Sequence, residues 1–416
     1  MMIKDFQGDP HPGAPRILFV GWAHSSHTHG WLDLLADAGF NVRLYALPLG
    51  FPPDEWPVRT YLTQSTGRRF DPATRVKLYP LNKPDLWLRN RLSRALFGAE
   101  TDAPRRGLAE VIRRWRPDVV HALGIDPAGL FYAQVRARFG LERHGLWVQH
   151  IWGGSDLALT LDDPDKRPGI LAVLRSCHAL ITDTSRNVGL VEQLGVPPEK
   201  FSPLTPIPGN GGIDVEALRQ SWSGPPSARR DVLWPKAYEC PYSKALPVFE
   251  ALGLCAGELA GRTVHLLAMN DESRAWYNAL PEALRSICRP HDRIPHQEAL
   301  ALMARSRVML APSLIDGFPN CVHEAMACGA VPVVSPLVNI TAHVAAEENV
   351  LFARNLYPQE IAEALRRALT DDVLADTMAA RNVEVARQVA HRPALAARVQ
   401  AWYAELAAQA RGERVC

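Results

Sequence analysis

The stretch LIDGFPNCVHEAMACGAVPVVS (314–335) carries two carboxylates, Asp316 and Glu324, with seven residues between them. Gly317-Phe318-Pro319 follows the first acid, and an apolar run ending in Gly329 follows the second. A strand ending at Ser313 would lead into this loop, and a helix would begin near Asn320 or Cys321. Backbone N–H groups at such a helix start form an anion site, and Gly317 lets a ligand approach the main chain closely. Glu324 is expected in the first turn, where the helix dipole favours its charged form. A carboxylate there can accept hydrogen bonds from two adjacent hydroxyls, as a ribose offers. The same acids would also serve as a loop cap and a complement to the dipole, and spacing alone leaves both readings open.

The elements around these acids alternate. RILFVG (16–21) reads as a buried strand, and Leu32, Leu34, Leu35 and Ala38 share one helical face closed by Gly39. NVRLYAL (41–47), DVVHAL (118–123), GLWVQH (145–150) and HALITD (178–183) continue the strands, with helical stretches around 126–139 and 186–194. Polar RQSWSGPPSARR (219–230), with Gly-Pro-Pro in its middle, reads as an interdomain linker. The alternation then restarts with strands at 231–235, 262–269, 308–313 and 331–335 and helices at 244–258 and 296–306. From Pro358 onward the chain reads as helical. Strands spaced by helices imply parallel pairing, so the expected fold class is α/β with two doubly wound Rossmann-like domains facing a central cleft. The expected division is 1–218, a linker at 219–230, 231–395, and a terminal helix at 396–416 packing back on the first domain. Ligands of such sheets bind at the carboxyl ends of the strands.

Bulk properties agree with two domains: 416 residues is long for one core. Lys+Arg at 46 against Asp+Glu at 44 leaves +2, so global charge does not favour a nucleic-acid partner. The seven cysteines form no CxxC pair, which suggests neither a disulfide framework nor a zinc knuckle and fits a reducing, cytoplasmic setting. The polar, proline-broken N-terminus does not read as a signal peptide, and no run approaches the roughly 18 apolar residues of a membrane span. LWLRNRLSRALF (86–97) sets Leu88, Leu92 and Leu96 among Arg89, Arg91 and Arg94. An interfacial helix in peripheral contact with the inner membrane surface has this pattern, and so does a solvated helix.

The segment APSLIDGFPNCVHEAMACGAVPVVS resembles the donor-site signature of family 4 GT-B glycosyltransferases, with Asp316 where the first acid is usually Glu. PDVVHALG (117–124), WVQHIWGGSDL (147–157), ALITDTSRN (179–187) and GNGGID (209–214) resemble further segments of that family in the same order. The resemblance implies that Glu324 binds the ribose of a nucleotide-sugar. It implies that Asp316 holds hydroxyls of the transferred sugar beside the backbone of Gly317, Phe318, Pro319 and Asn320. It places His150 on the acceptor side, where a packed imidazole beside Trp152 is the alternative. Basic residues that neutralise the diphosphate correspond to Lys236 and Lys244 in WPKAYECPYSKAL (234–246), the first replacing the family's Arg and the spacing longer. Lys244 is expected at a helix start, and Lys236 reads equally as a surface lysine.

GWAHSSHTHG (21–30) stands where many relatives have a Gly-rich loop, and His24, Ser25 and His27 offer donors to phosphate or acceptor hydroxyls. A metal site from His24, His27 and His29 lacks a carboxylate in the loop, and the resemblance implies basic side chains and helix dipoles instead, so neither metal nor cofactor is expected. Asp156 would bind an acceptor or cap the turn after Gly153-Gly154, and Asn210 and Asp214 would hold the turn into the linker. The implied activity is retaining transfer of a hexosyl group from a nucleotide diphosphate-sugar to a glycan or lipid-linked acceptor, in surface polysaccharide or glycoconjugate assembly. A nucleotide-sugar epimerase and a non-catalytic nucleotide-sugar or glycan-binding protein are the alternatives on the same scaffold.

Overall fold

The computed structural model describes residues 6, 8–53, 56–63, 76–78, 103–154 and 156–415. The Arg-rich stretch 86–97 lies outside the described residues. Seven strands form the first sheet: β1 (Arg16–Gly21), β2 (Asn41–Ala46), β3 (Arg59–Leu62), β4 (Val76–Leu78), β5 (Val119–Leu123), β6 (Leu146–Ile151) and β7 (Ala179–Thr182). Their order is β4-β3-β2-β1-β5-β6-β7, and every pairing is parallel. Strand β1 is apolar from Ile17 onward because both its faces are covered there. Leu18 and Val20 enter one buried cluster with Ile112, Tyr132 and Trp147, while Ile17 and Phe19 enter another with Trp31 and Leu34.

The second sheet repeats the plan with β8 (Asp231–Trp234), β9 (Val264–Leu266), β10 (Cys288–Pro290), β11 (Ser306–Ala311), β12 (Val331–Val334) and β13 (Leu351–Phe352). The order is β10-β9-β8-β11-β12-β13, again parallel. Both sheets are therefore doubly wound, and the two together are α/β.

Residues 219–230, expected as a linker, pack on the second domain. The Trp222 indole donates to the Ala327 carbonyl at 2.8 Å, and the buried Arg229 guanidinium donates to the carbonyls of Ser306 (3.1 Å) and Cys328 (2.8 Å). Gly329 ends the Asn320–Cys328 helix at φ 73°, and a side chain there would strike the Trp222 ring at 2.4 Å. Polar composition misled the reading because one aromatic and one arginine do the packing.

The chain instead crosses between domains at 210–215 and again at 388–392. The two crossings pair: Ile213 N donates to Ala390 O and Arg392 N to Ile213 O, both at 2.8 Å. Asn210 Oδ1 accepts from Gly212 N at 3.0 Å, and Asp214 caps the Val215–Gln220 helix through Ala217 N at 3.1 Å. Beyond the second crossing, the Arg392–Val415 helix returns to the first domain and buries Leu395, Val399, Trp402 and Tyr403 against Ile17, Phe19 and Trp31. Among the described residues, no helix is long and apolar enough to cross a membrane.

Candidate functional site

Strand order reverses between β1 and β5 in one sheet and between β8 and β11 in the other. At such points neighbouring chains leave the strand ends toward opposite faces and open a crevice. Lys236 lies two residues beyond β8, and Asp316 follows β11 by five. Their side chains form an ion pair, Lys236 Nζ to Asp316 Oδ2 at 2.5 Å. Burial is the largest influence on Lys236 and works against its charge, yet with the Asp316 carboxylate first among the groups opposing it the ammonium pKa stays above its ordinary value. The Asp316 carbonyl accepts from Asn339 Nδ2 at 2.8 Å, and Leu314 N donates to Tyr242 O at 2.7 Å, so the loop is tied at both ends.

Lys244 does not join this pair. Its ammonium meets Glu239 Oε1 at 2.8 Å, its amide donates to Asn355 Oδ1 at 2.8 Å, and the helix it was expected to open begins two residues later, at Leu246. Lys236, equally readable as a surface lysine, is the one in contact with Asp316.

Pro319 caps the Asn320–Cys328 helix and Phe318 packs on His323, ring centroids 4.4 Å apart. Glu324 is the fifth residue of that helix, past its first turn, which corrects the expected position. Its side chain is 11% exposed, and Oε1 stands 2.8 Å from Nε2 of His296, the first residue of the His296–Arg305 helix. The hydrogen bond to Glu324 raises the His296 pKa. No motif signals this pairing across 28 residues.

The first domain presents His27, in the Ser26–Leu32 helix, near Lys236 and Asp316, with Trp152 at 4.9 Å between ring centroids. Ser25 precedes that helix without a side-chain capping bond, His24 Nδ1 is held by Leu49 O at 2.9 Å, and His29 Nε2 by Ala23 O at 2.7 Å. The three histidines therefore do not converge, and among the described residues no group of three His, Cys, Asp or Glu side chains is placed to hold a metal.

His150 is wholly buried under Trp152 (3.8 Å between centroids) and Trp31 (4.8 Å), with neither ring nitrogen hydrogen-bonded. Burial holds its pKa well below the ordinary value, so the ring is neutral. Asp156 is spent on the backbone: Oδ2 accepts from Trp152 N at 2.9 Å and Ile125 N at 2.8 Å. Burial pushes its pKa up to about 7.

Asp183, one residue past β7, was not foreseen, although its place directly after ALIT at a strand's carboxyl end is a signal for it. A methyl on Gly153 would lie 2.7 Å from its Oδ1, and one on Gly317 would lie 3.0 Å from its Oδ2. Burial raises its pKa to about 7, and Oδ1 has no hydrogen-bond partner. The two domains touch at this level. A methyl on Gly154 would meet Gly317 N at 3.0 Å and Asp316 Cα at 3.4 Å, and Asn339 Nδ2 reaches Gly153 O at 3.4 Å.

Solved structures share this two-sheet arrangement. HepE (Alr3699) of Anabaena, in complex with UDP-glucose, superposes with a TM-score of 0.66 at 14% identity, covering 92% of this chain and 97% of that one. The fold is GT-B. Sucrose-phosphate synthase from Thermosynechococcus elongatus matches this GT-B chain at TM-score 0.65 and 17% identity, covering 95% and 100%. An E. coli structure described as trehalose-6-phosphate bound with UDP-2-fluoro glucose matches at 0.63 and 14%, covering 94% and 99%. Residues 254–371, within the second domain, match the family model Glycosyl transferases group 1. This segment includes Asp316 and Glu324 but not Lys236 or Lys244. A comparison with the sequences of curated proteins gives no match.

Proposed function

We propose that the chain is a retaining GT-B glycosyltransferase that takes a hexosyl group from a nucleotide diphosphate-sugar and places it on a glycan or lipid-linked acceptor held against the first domain. One observation carries the reading: Lys236 and Asp316 pair just beyond the strand ends of the second domain, Glu324 is held by His296 on the helix that follows, and the Gly317 loop meets the Gly153-Gly154 loop. In this reading Glu324 accepts from the ribose hydroxyls, with His296 fixing one of its oxygens. Lys236 meets the diphosphate as charge develops on it, helped by the amino end of the Asn320–Cys328 helix. Asp316 then turns from Lys236 toward hydroxyls of the sugar. His27 faces the same junction from the acceptor side, and closure brings the acceptor hydroxyl to the anomeric carbon. The UDP-sugar complexes among the structural neighbours support a nucleotide-sugar donor. Surface polysaccharide or glycoconjugate assembly is the role that suits such an activity.

The test is incubation with UDP-, GDP-, ADP- and dTDP-sugars, with and without glycan and lipid-linked acceptors, reading product anomeric configuration by NMR. Transfer with retention is expected. Epimerisation without acceptor, inversion, or binding without turnover would each overturn the proposal.

A further inference from the structure

A cavity of about 300 Å³ lies on the hinge side of the domain seam, behind the donor loop. Its walls include Asp183 of the first domain, Phe318 and His323 beside the donor loop, and Val389, Leu395 and Arg398 around the second crossing. Pro206 to Pro208, leading into the first crossing, close another side. The volume is at the low end of the roughly 300–1,000 Å³ of small-molecule sites.

Two polar atoms in these walls lack partners. His323 is 7% exposed and its Nδ1 has no hydrogen bond, and Asp183 Oδ1 is likewise buried and unpaired. Both residues belong to the lining, and buried polar groups in folded proteins are nearly always satisfied, so two unpaired ones on the walls of one cavity call for an account. At the exposed mouth Arg398 has no ion-pair partner among the described residues. It is the one permanent charge in the lining. Burial lowers the pKa of His323 to about 3, lowers that of His343 and raises that of Asp183 to about 7. The remaining walls are mainly apolar.

We propose that this cavity is an effector site for a small organic acid with an apolar body, a hydroxyl or amide at its inner end for His323 and Asp183, and an anionic group at its outer end for Arg398. It is separate from the donor crevice: Phe318 lines it, whereas Lys236, Asp316 and Glu324 do not. Its walls come from both domains, from the approach to the first crossing and from the second, so an occupant binds one interdomain angle better than another. By linkage it changes nucleotide-sugar affinity, and the nucleotide-sugar changes its own by the same factor.

4-Hydroxyphenylacetate serves as the probe, titrated calorimetrically into the full chain, with phenylacetate (no inner hydroxyl) and 4-hydroxybenzyl alcohol (no charge) as controls. The probe is expected to bind at least tenfold more tightly than either control. Arg398→Gln should weaken it at least tenfold and Val389→Trp, which fills the mouth, should abolish binding. Both positions are exposed, so neither variant disturbs the core. UDP-glucose, titrated alone, should bind both variants as it binds the native chain. Absence of binding by the probe, binding that survives Val389→Trp, or simple competition with UDP-glucose would overturn the assignment. If UDP-glucose fails to bind at all, the donor reading falls while the probe titration still decides this one.

Discussion

Gly154→Ala and Gly154→Val should leave each domain folded and hold the two apart. The three nearest atoms to a Cβ at position 154 all belong to the opposite domain: Gly317 N at 3.0 Å, and the carbonyl carbon and Cα of Asp316 at 3.4 Å each. Contacts this short are tighter than ordinary van der Waals contact, so the seam must widen by a few tenths of an ångström. All three atoms are main chain, and no rotamer change relieves them. Overpacking of this kind costs about 1–3 kcal/mol, and at about 1.4 kcal/mol per tenfold that is a closed population reduced about 5- to 150-fold. Turnover should fall by that factor for Ala and further for Val. UDP affinity should stay near native, since Glu324 and Lys236 both sit on one domain. The assays are initial rates with the best donor, calorimetric UDP binding, and small-angle scattering of the donor-bound protein. A Gly154→Val variant with native turnover and an unchanged radius of gyration would refute the idea that closure at this glycine contact gates the chemistry.

On the proposed function, Glu324→Gln removes the carboxylate charge and replaces one of its two acceptor oxygens with a donor, and charge-assisted bonds are worth about 1.5–3 kcal/mol each, so UDP should bind about 10- to 150-fold more weakly by calorimetry; unchanged affinity would exclude the ribose role. Lys236→Met should reduce turnover more than Lys244→Met, because only Lys236 touches Asp316; the reverse ranking of kcat would move the diphosphate to Lys244. Burial holds the Asp183 pKa near 7 against about 4 in an unfolded chain, so the native state keeps its proton longer and loses stability as pH rises from about 4 to 7. Asp183→Asn should flatten the fall of Tm across that window, and an identical Tm-versus-pH slope would contradict the assignment.

Much of the fold was readable because parallel strands buried on both faces carry unbroken apolar runs, as at 17–20 in RILFVG and 331–334 in VPVVS. The helix carrying Glu324 was expected to begin near Asn320 or Cys321; it begins at Asn320, which makes Glu324 its fifth residue, just past the first turn. The linker at 219–230 failed for a different reason. Its polar, proline-rich composition says nothing about one indole filling the space above Gly329 or one arginine bonding two carbonyls across the core. Within the site, Asp316 was visible through its motif, whereas its partner was ambiguous because two lysines fitted the same local pattern. His296 and Asn339 were invisible. Each acts on a residue brought to it by the winding of the sheet, and nothing in their own neighbourhoods marks them. His150 was visible as a strand-end histidine, but its burial rests on Trp152 and on Trp31, which comes from the Ser26–Leu32 helix.

The paired crossings at Ile213 and His391 have a mechanical consequence. Two backbones joined by hydrogen bonds on either side of Ile213 form a two-ply strip, and such a strip flexes across its thickness far more readily than in its plane or about its length. The terminal helix, anchored on the first domain, adds a stay through Arg392, which donates to Gly30 O at 2.8 Å. Relative motion of the halves is thereby reduced toward a single bending coordinate. A mouth that opens along one coordinate closes in the same register on every cycle, so Gly317 returns to Gly154 without a search over orientations.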